Sequence, residues 1–229
     1  MNRFDVIGFD ADDTLWMSED SFHETEQRFV DLLAPYTPDG VDLASALRAT
    51  ERANLSVSGY GVKAFALSMI EAAVTVSNAT VPAAVIGELV DIAHHMLIEP
   101  VQLLSHVPEV LSDVGADHRL VLVTKGDLVH QTRKITTSGL AHHFEYVEVV
   151  LEKDAETYAR ILRHVGVDPD RFCMVGNSVR SDVLPVLEIG AHAVHVPYHL
   201  TWDVERVSHH DEEFAELASL ADLPAWLGG

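Results

Sequence analysis

From Glu99-Pro100 onward, apolar runs of strand length alternate with amphipathic stretches of helix length. Leu120–Val123, Phe144–Val150, Phe172–Val175 and Ala193–Val196 read as strands. Val107–Val114, Asp127–Ser138, Ala155–Val165 and Ser181–Ile189 read as helices, the last three closed by Gly139, Gly166 and Gly190. Strands that alternate with helices in this way imply a parallel sheet covered on both faces. One more strand candidate, Val6–Phe9, stands near the start and must join that sheet from a distance. Between it and Glu99 the periodicity is helical throughout. Phe22, Phe29, Leu32 and Leu33 mark a first run, followed by Val41–Leu55 and Val62–Val76. A fourth is opened by Pro82, a residue suited to the first helical position, and reaches Met96. The chain therefore reads as an α/β core made of residues 1–16 and 100–229, interrupted by a four-helix insertion over 17–99. The end of the chain, Asp211–Leu227, is expected to lay a helix on the outside.

The first strand ends abruptly in Asp10-Ala11-Asp12-Asp13-Thr14, three carboxylates in four positions. Charges this close repel and raise one another's pKa values, and a hard divalent cation is the simplest offset. In open α/β sheets ligands gather at the carboxyl ends of strands, where this cluster lies. Other stretches at that edge carry matching chemistry. Leu120–Val123 runs into Thr124-Lys125-Gly126-Asp127; Lys153 precedes the helix from Ala155; Phe172–Val175 runs into Gly176-Asn177-Ser178-Val179-Arg180-Ser181-Asp182. Two carboxylates, a hydroxyl beside helix-initiating amides, a lysine and further oxygen ligands are the parts that phosphoryl transfer uses.

Composition narrows the partners. A formal net charge of −21 argues against nucleic acid or an anionic membrane, which need a basic footprint. An anionic substrate then depends on local positive charge, and Lys125 and Lys153 are two of only four lysines. No apolar run reaches membrane-span length and no signal-peptide series opens the chain, so a soluble cytoplasmic protein is expected. The single Cys173 excludes an internal disulfide and reads as a small core hydrophobe.

With these stretches in this order, the sequence resembles the haloacid dehalogenase superfamily, in its phosphatase branch with a helical cap inserted after the first motif. The resemblance covers nearly the whole chain. Asp10-Ala11-Asp12-Asp13-Thr14 matches the first motif, Thr124 the second, Lys153 the third, and Gly176-Asn177-Ser178 with Asp182 the fourth. It implies a Rossmann-like doubly wound core with a helical-bundle cap, and Mg²⁺-dependent hydrolysis of a small-metabolite phosphomonoester. Asp10 would attack phosphorus to give an aspartyl-phosphate, while Asp12 would protonate the leaving oxygen and then activate water. Thr124, Lys125, Gly126 and Lys153 would bind the substrate phosphate, Lys153 also neutralising Asp10. Mg²⁺ would be held by Asp10, the backbone carbonyl of Asp12, Asp182 and Asn177. Asn177 stands where the family often has Asp; its amide oxygen can ligate a hard cation but brings no charge. Related chemistries share the fold. A phosphomutase uses both aspartates and a similar cap, whereas a 2-haloacid dehalogenase lacks the second acid and needs no metal. A non-catalytic phospho-ligand-binding protein would keep the fold alone, a reading that the intact Asp10, Asp12, Thr124, Lys153 and Asp182 set opposes.

Other residues read as structural. Asp13 and Thr14 are expected to support the following turn, Lys125 to face solvent at the mouth of the site, and Arg180 to form a local salt bridge. Gly59-Tyr60-Gly61-Val62-Lys63-Ala64 matches a dinucleotide fingerprint but follows no strand, so it reads as a cap loop, with Tyr60 and Lys63 as candidates for substrate selection. The histidine pairs at 94–95, 142–143 and 209–210 lack metal-ligand spacing. Apolar faces of the cap helices offer a surface for a homodimer.

Overall fold

The computed structural model describes residues 3–228. Met1 and Asn2, expected to lead into the first strand, and the terminal Gly229 lie outside that range. Strand β1 (Val6–Phe9) is followed by four helices, α1 (Glu19–Leu33), α2 (Leu43–Ser58), α3 (Val62–Val76) and α4 (Ala83–Ile98). Then come α5 (Val107–Gly115), β2 (Arg119–Lys125), α6 (Leu128–Thr137), β3 (Tyr146–Val150), α7 (Ala155–Val165) and β4 (Phe172–Gly176). A π-helical turn, Val179–Val183, leads into α8 (Leu184–Glu188), β5 (His192–His195), β6 (Ala215–Glu216) and α9 (Leu223–Leu227).

The strands form one parallel sheet in the order β3-β2-β1-β4-β5-β6. This is the doubly wound α/β arrangement, and the strand order reverses between β1 and β4, where such sheets open a crevice for ligands. Register brings the polar strand ends to one level: Phe9 pairs with Leu122 on one side and Val175 on the other. Asp10, Thr124 and Asn177 therefore come together at the carboxyl edge of the sheet.

Strand alternation sorts the side chains into two apolar layers. Ile7, Phe9, Leu120, Leu122, Cys173 and Val175 join one with α5, while Val6, Val121, Val123, Phe172 and Met174 join the other with α7. Cys173 is fully buried, and burial pushes its thiol up to about 12, so it packs as an inert hydrophobe. Gly8 is required by this packing, because a Cβ there would stand 2.5 Å from the Phe172 ring.

The chain divides into two compact units: one runs up to Glu19, over Val101–Lys125 and from Gln131 on; the other comprises Asp20–Pro100 with Gly126–His130. The second is helical, built around Phe29, Leu33, Leu47, Phe65, Met69 and Leu89. Phe22 meets Phe65 edge-on at 5.2 Å. Gly59 and Gly61, at φ +70° and +93°, make the tight turn between α2 and α3, which accounts for the glycine spacing without a nucleotide. Within this unit Lys63 pairs with Asp127 at 2.9 Å.

Some expected elements come out differently. Pro82 is extended (ψ 145°) and precedes α4 as its N-cap, one position earlier than expected. The helix expected over Ser181–Ile189 begins instead as the π-helical turn. The helix expected over Asp211–Leu227 shrinks to α9, because Ala215-Glu216 pair with Val194-His195 as an edge strand. Acidic Asp211–Glu213 has no apolar face to bury as a helix, whereas Leu220 and Leu223 are buried against the core.

Candidate active site

Asp10 follows β1 directly, its backbone N–H donating to the Val175 carbonyl of β4 at 2.9 Å. Its side chain is almost closed off from solvent, the residue being 6% exposed. Lys153 Nζ donates to Asp10 Oδ1 at 2.5 Å and to Asp182 Oδ1 at 2.6 Å. Lys153 is set by the start of α7, where Asp154 caps the helix by accepting from the Thr157 N–H at 2.8 Å. Two carboxylates thus share one ammonium. Burial pushes Asp10 up to about 7 against the pull of Lys153, with Asp182 adding to the rise. Burial also works against the Lys153 charge, but the two carboxylates outweigh it and hold the ammonium above the ordinary lysine range.

Asp12 has a different environment. Trp16 Nε1 donates to its Oδ1 at 2.6 Å, Lys134 Nζ donates to the same oxygen, and Gln131 Nε2 donates to Oδ2 at 2.8 Å. Burial opposes ionisation here too, but Lys134 and the Gln131 and Trp16 donors prevail and keep the carboxyl below its ordinary range. Thr124 is buried at the end of β2, its hydroxyl accepting from Gln131 Nε2 at 2.9 Å. Gly126 follows at φ +130° and belongs to the second unit.

Asn177 brings an unusual juxtaposition. One terminal atom of its amide stands 3.2 Å from Asp10 Oδ2 and 3.3 Å from the Asp12 carbonyl oxygen. As nitrogen it donates to both; as oxygen it completes a cluster of three oxygens, and the surroundings decide which. Corners of a Mg²⁺ octahedron with bonds of about 2.1 Å lie about 3 Å apart, so the oxygen reading fits that cation. No group of three or more His, Cys, Asp or Glu side chains forms a metal site among the described residues. The fitting donors are instead a carboxylate, a carbonyl and an amide. Asp182, expected as a ligand, shares the Lys153 ammonium with Asp10. Lys153 takes its Oδ1, and the Ser178 N–H donates to Oδ2 at 3.0 Å.

Two expectations change, and a third residue gains partners. Lys125 does not face solvent: its ammonium pairs with Glu205 Oε1 at 2.5 Å and donates to Ser181 Oγ at 2.9 Å. Arg180 donates to the Val204 carbonyl at 2.8 Å. Thr14 donates to Asp10 Oδ2 at 3.1 Å and to Asn177 Oδ1 at 3.3 Å. Asp13, at φ +62°, does receive the N–H groups of Ser18 and Glu19 at the start of α1. His195 on β5 holds the Asn177 carbonyl through Nε2 at 3.0 Å, with Glu216 of β6 on its Nδ1 at 2.9 Å.

Sequence reasoning missed Trp16, Gln131, Lys134 and Glu205. Lys134 was open to discovery as one of four lysines, three residues after Gln131 on the same helix face. Glu205 lies 80 residues from Lys125 in irregular chain and carried no periodic signal.

Asp182 leaves no space beside Gly176, where an added Cβ would overlap its carboxylate. Gly176→Ala is expected to cost about 1–3 kcal/mol through overpacking and to displace Asp182 from Lys153. Urea denaturation and a crystal structure of the variant check both; an unchanged midpoint would show that the carboxylate yields freely.

A family model described as haloacid dehalogenase-like hydrolase matches residues 4–190. Over 111 residues the chain is 30% identical to the glyceraldehyde 3-phosphate phosphatase of Methanothermobacter thermautotrophicus, covering 46% of this chain and 48% of that protein. The chain thus spans about half the length of that curated relative. The crystal structure of a haloacid dehalogenase-like family hydrolase from Xanthomonas campestris matches with a TM-score of 0.89 and 40% identity, over 99% of this chain and 91% of that one. The L-2-haloacid dehalogenase of Xanthobacter autotrophicus, solved with chloropropionic acid covalently bound, shares the fold at a TM-score of 0.66 and 16% identity, over 99% of each chain.

Proposed function

We propose, for a chain that belongs to the haloacid dehalogenase-like hydrolases, a Mg²⁺-dependent phosphatase that hydrolyses a small-metabolite phosphomonoester through an aspartyl-phosphate. The observation that carries this reading is the second carboxylate: Asp12 stands two residues beyond Asp10 with its own set of hydrogen-bond donors. Hydrolysis of a phosphomonoester needs a nucleophile and a separate group to carry the proton.

Asp10 Oδ1, the oxygen that Lys153 holds, attacks phosphorus as the bond to the leaving oxygen breaks. Asp12, ionised in the free site, takes the proton of the phosphomonoester monoanion and passes it to that oxygen. Water then gives a proton to Asp12 and attacks the phosphorus of the aspartyl-phosphate, releasing phosphate and restoring Asp10. Thr124, with the Lys125-Gly126 turn after it, receives the phosphate oxygens, and Lys153 accompanies the charge as it moves. Asp10 Oδ2, the Asp12 carbonyl, Asn177 and Asp182 would hold Mg²⁺, and Asp182 also keeps Lys153 in place. When bound, Mg²⁺ would supply charge compensation for the phosphate and Asp10. Segment 17–99 is read as the family's cap and residues 1–16 and 100–229 as the catalytic core. A cytoplasmic location and a homodimer complete the reading, the dimer being open to light scattering.

The test is a panel of phosphomonoesters and a chloroacid, each with Mg²⁺ and with EDTA. Phosphate release is expected with Mg²⁺ and should fall by about 10³-fold or more in EDTA. Halide release that ignores EDTA would replace the phosphatase with a dehalogenase.

A further inference from the structure

We propose that Gln131 and Lys134 are positioning residues that, with the Trp16 indole, aim the Asp12 carboxylate at the oxygen of the leaving group. The proposal rests on the phosphatase reading above, and the geometry supplies its detail. Three N–H donors converge on this one carboxylate, two on Oδ1 and one on Oδ2. An ionised carboxylate offers about four lone-pair directions, so this arrangement leaves about one open.

Each donor is itself held. Trp16 is fully buried, bridged to Leu103, and its carbonyl accepts from the Asp13 N–H at 2.7 Å. Gln131 and Lys134 are three apart on α6, so one rigid helix face presents both. Lys134 Nζ also lies 5.8 Å from the centre of the Trp16 ring. Fixing a long lysine stem costs side-chain entropy, which a mere surface ion pair would hardly offset.

Gln131 adds a second observation. It is 3% exposed, and its Nε2 lies within 2.9 Å of Asp12 Oδ2, Thr124 Oγ1 and the Lys125 carbonyl. One amide thereby ties the proposed acid to the turn proposed to hold phosphate. Its Oε1, meanwhile, is buried with no hydrogen-bond partner among the described residues. An unpaired buried acceptor is destabilising, which a side chain placed only for stability would avoid. Turning the amide over would set Oε1 against a carboxylate and a carbonyl, and would gain at most the Thr124 hydroxyl as a donor. The orientation is dictated by Asp12 and Lys125, and the orphaned oxygen is left as an acceptor for a donor brought by substrate or water.

The experiment compares Lys134→Met, Lys134→Arg and Gln131→Leu with wild type on two esters, an alkyl phosphate and p-nitrophenyl phosphate. The alkyl leaving group needs the Asp12 proton and the nitrophenolate hardly does. For Lys134→Met and Gln131→Leu, kcat/KM on the alkyl ester should fall about 10- to 100-fold, with a loss under about 3-fold on p-nitrophenyl phosphate. Lys134→Arg should recover most of the difference. In parallel, the Trp16 indole N–H resonance of ¹⁵N-labelled protein should shift in Lys134→Met and Gln131→Leu, a readout independent of turnover and metal. Equal losses on both esters would reduce the two residues to structural supports and overturn the proposal. An unmoved indole resonance would overturn it whatever the kinetics, since Asp12 would not be clamped in solution. Wild-type protein silent on both esters, with the indole response intact, would instead overturn the phosphatase reading while the clamp stands.

Discussion

Replacing Asp10 with Asn is expected to abolish phosphate release, by about 10⁴-fold or more, while leaving a folded protein that is more stable than wild type without metal. The loss follows from the proposed chemistry, because an amide cannot form the phosphoryl bond. The gain follows from the electrostatics. Burial raises Asp10 to about 7 from an ordinary value of 3.8. Between these values the folded protein binds more protons than the unfolded chain, so stability falls as pH rises through the window and is lowest above about 7. Asn removes that dependence and leaves Lys153 paired with Asp182 alone. In EDTA at pH 8 the variant should exceed wild type by on the order of 1–2 kcal/mol, with the advantage shrinking toward pH 4. Urea denaturation across that range checks the slope. Turnover that survives in the variant would remove Asp10 as the nucleophile; an unchanged slope would mean that Lys153 already neutralises it.

Lys153→Met is expected to do the opposite to stability. The Lys153 side chain is 2% exposed and is the shared partner of Asp10 and Asp182. Methionine fills much of the space but leaves two buried carboxylates facing each other. Removing one partner of a buried ionic group costs about 3–5 kcal/mol. Without the ammonium Asp10 is raised further, so the folded state takes up a proton and the deficit shrinks as pH falls. The variant should therefore unfold at markedly lower urea at pH 8 than at pH 5, and should lose turnover with the proposed phosphate contact. Adding Asp10→Asn should restore part of the stability, because one of the two stranded charges disappears. A deficit equal at both pH values would assign the effect to packing. The pair of variants also separates roles that activity alone would merge: Asp10 is costly to the fold and needed for chemistry, whereas Lys153 serves both.

The parts of this site legible in the sequence are those that follow strands. Asp10, Thr124 and Asn177 each sit one or two residues beyond an apolar run, and a parallel sheet must present such positions at one edge. Ala155–Val165 was equally legible, with Asp154 before it and Gly166 after it marking both ends of α7. Where the chain lacked periodicity the reading failed. The segment around Glu205 is irregular, yet its carboxylate accepts from Lys125, Ser178 and Ser181, giving Lys125 a different environment from the one expected. Asp182 and Asn177 were both expected to ligate metal, because spacing alone could not separate them. The structure gives them different partners: the Asp182 oxygens meet Lys153 and the Ser178 N–H, while the Asn177 amide meets Asp10 and the Asp12 carbonyl.

By itself the sequence determined the parallel sheet, the helical insertion and the acidic strand end, because local periodicity and burial act over a few residues at a time. Only the tertiary structure decided which charges neutralise which. Lys153 lies 143 residues from Asp10, and Lys134 lies 122 from Asp12. Pairing at that separation depends on how the strands are ordered and how α6 and α7 pack beside them. Coulomb energy and desolvation depend on distance through space, and no pattern along the chain encodes that distance.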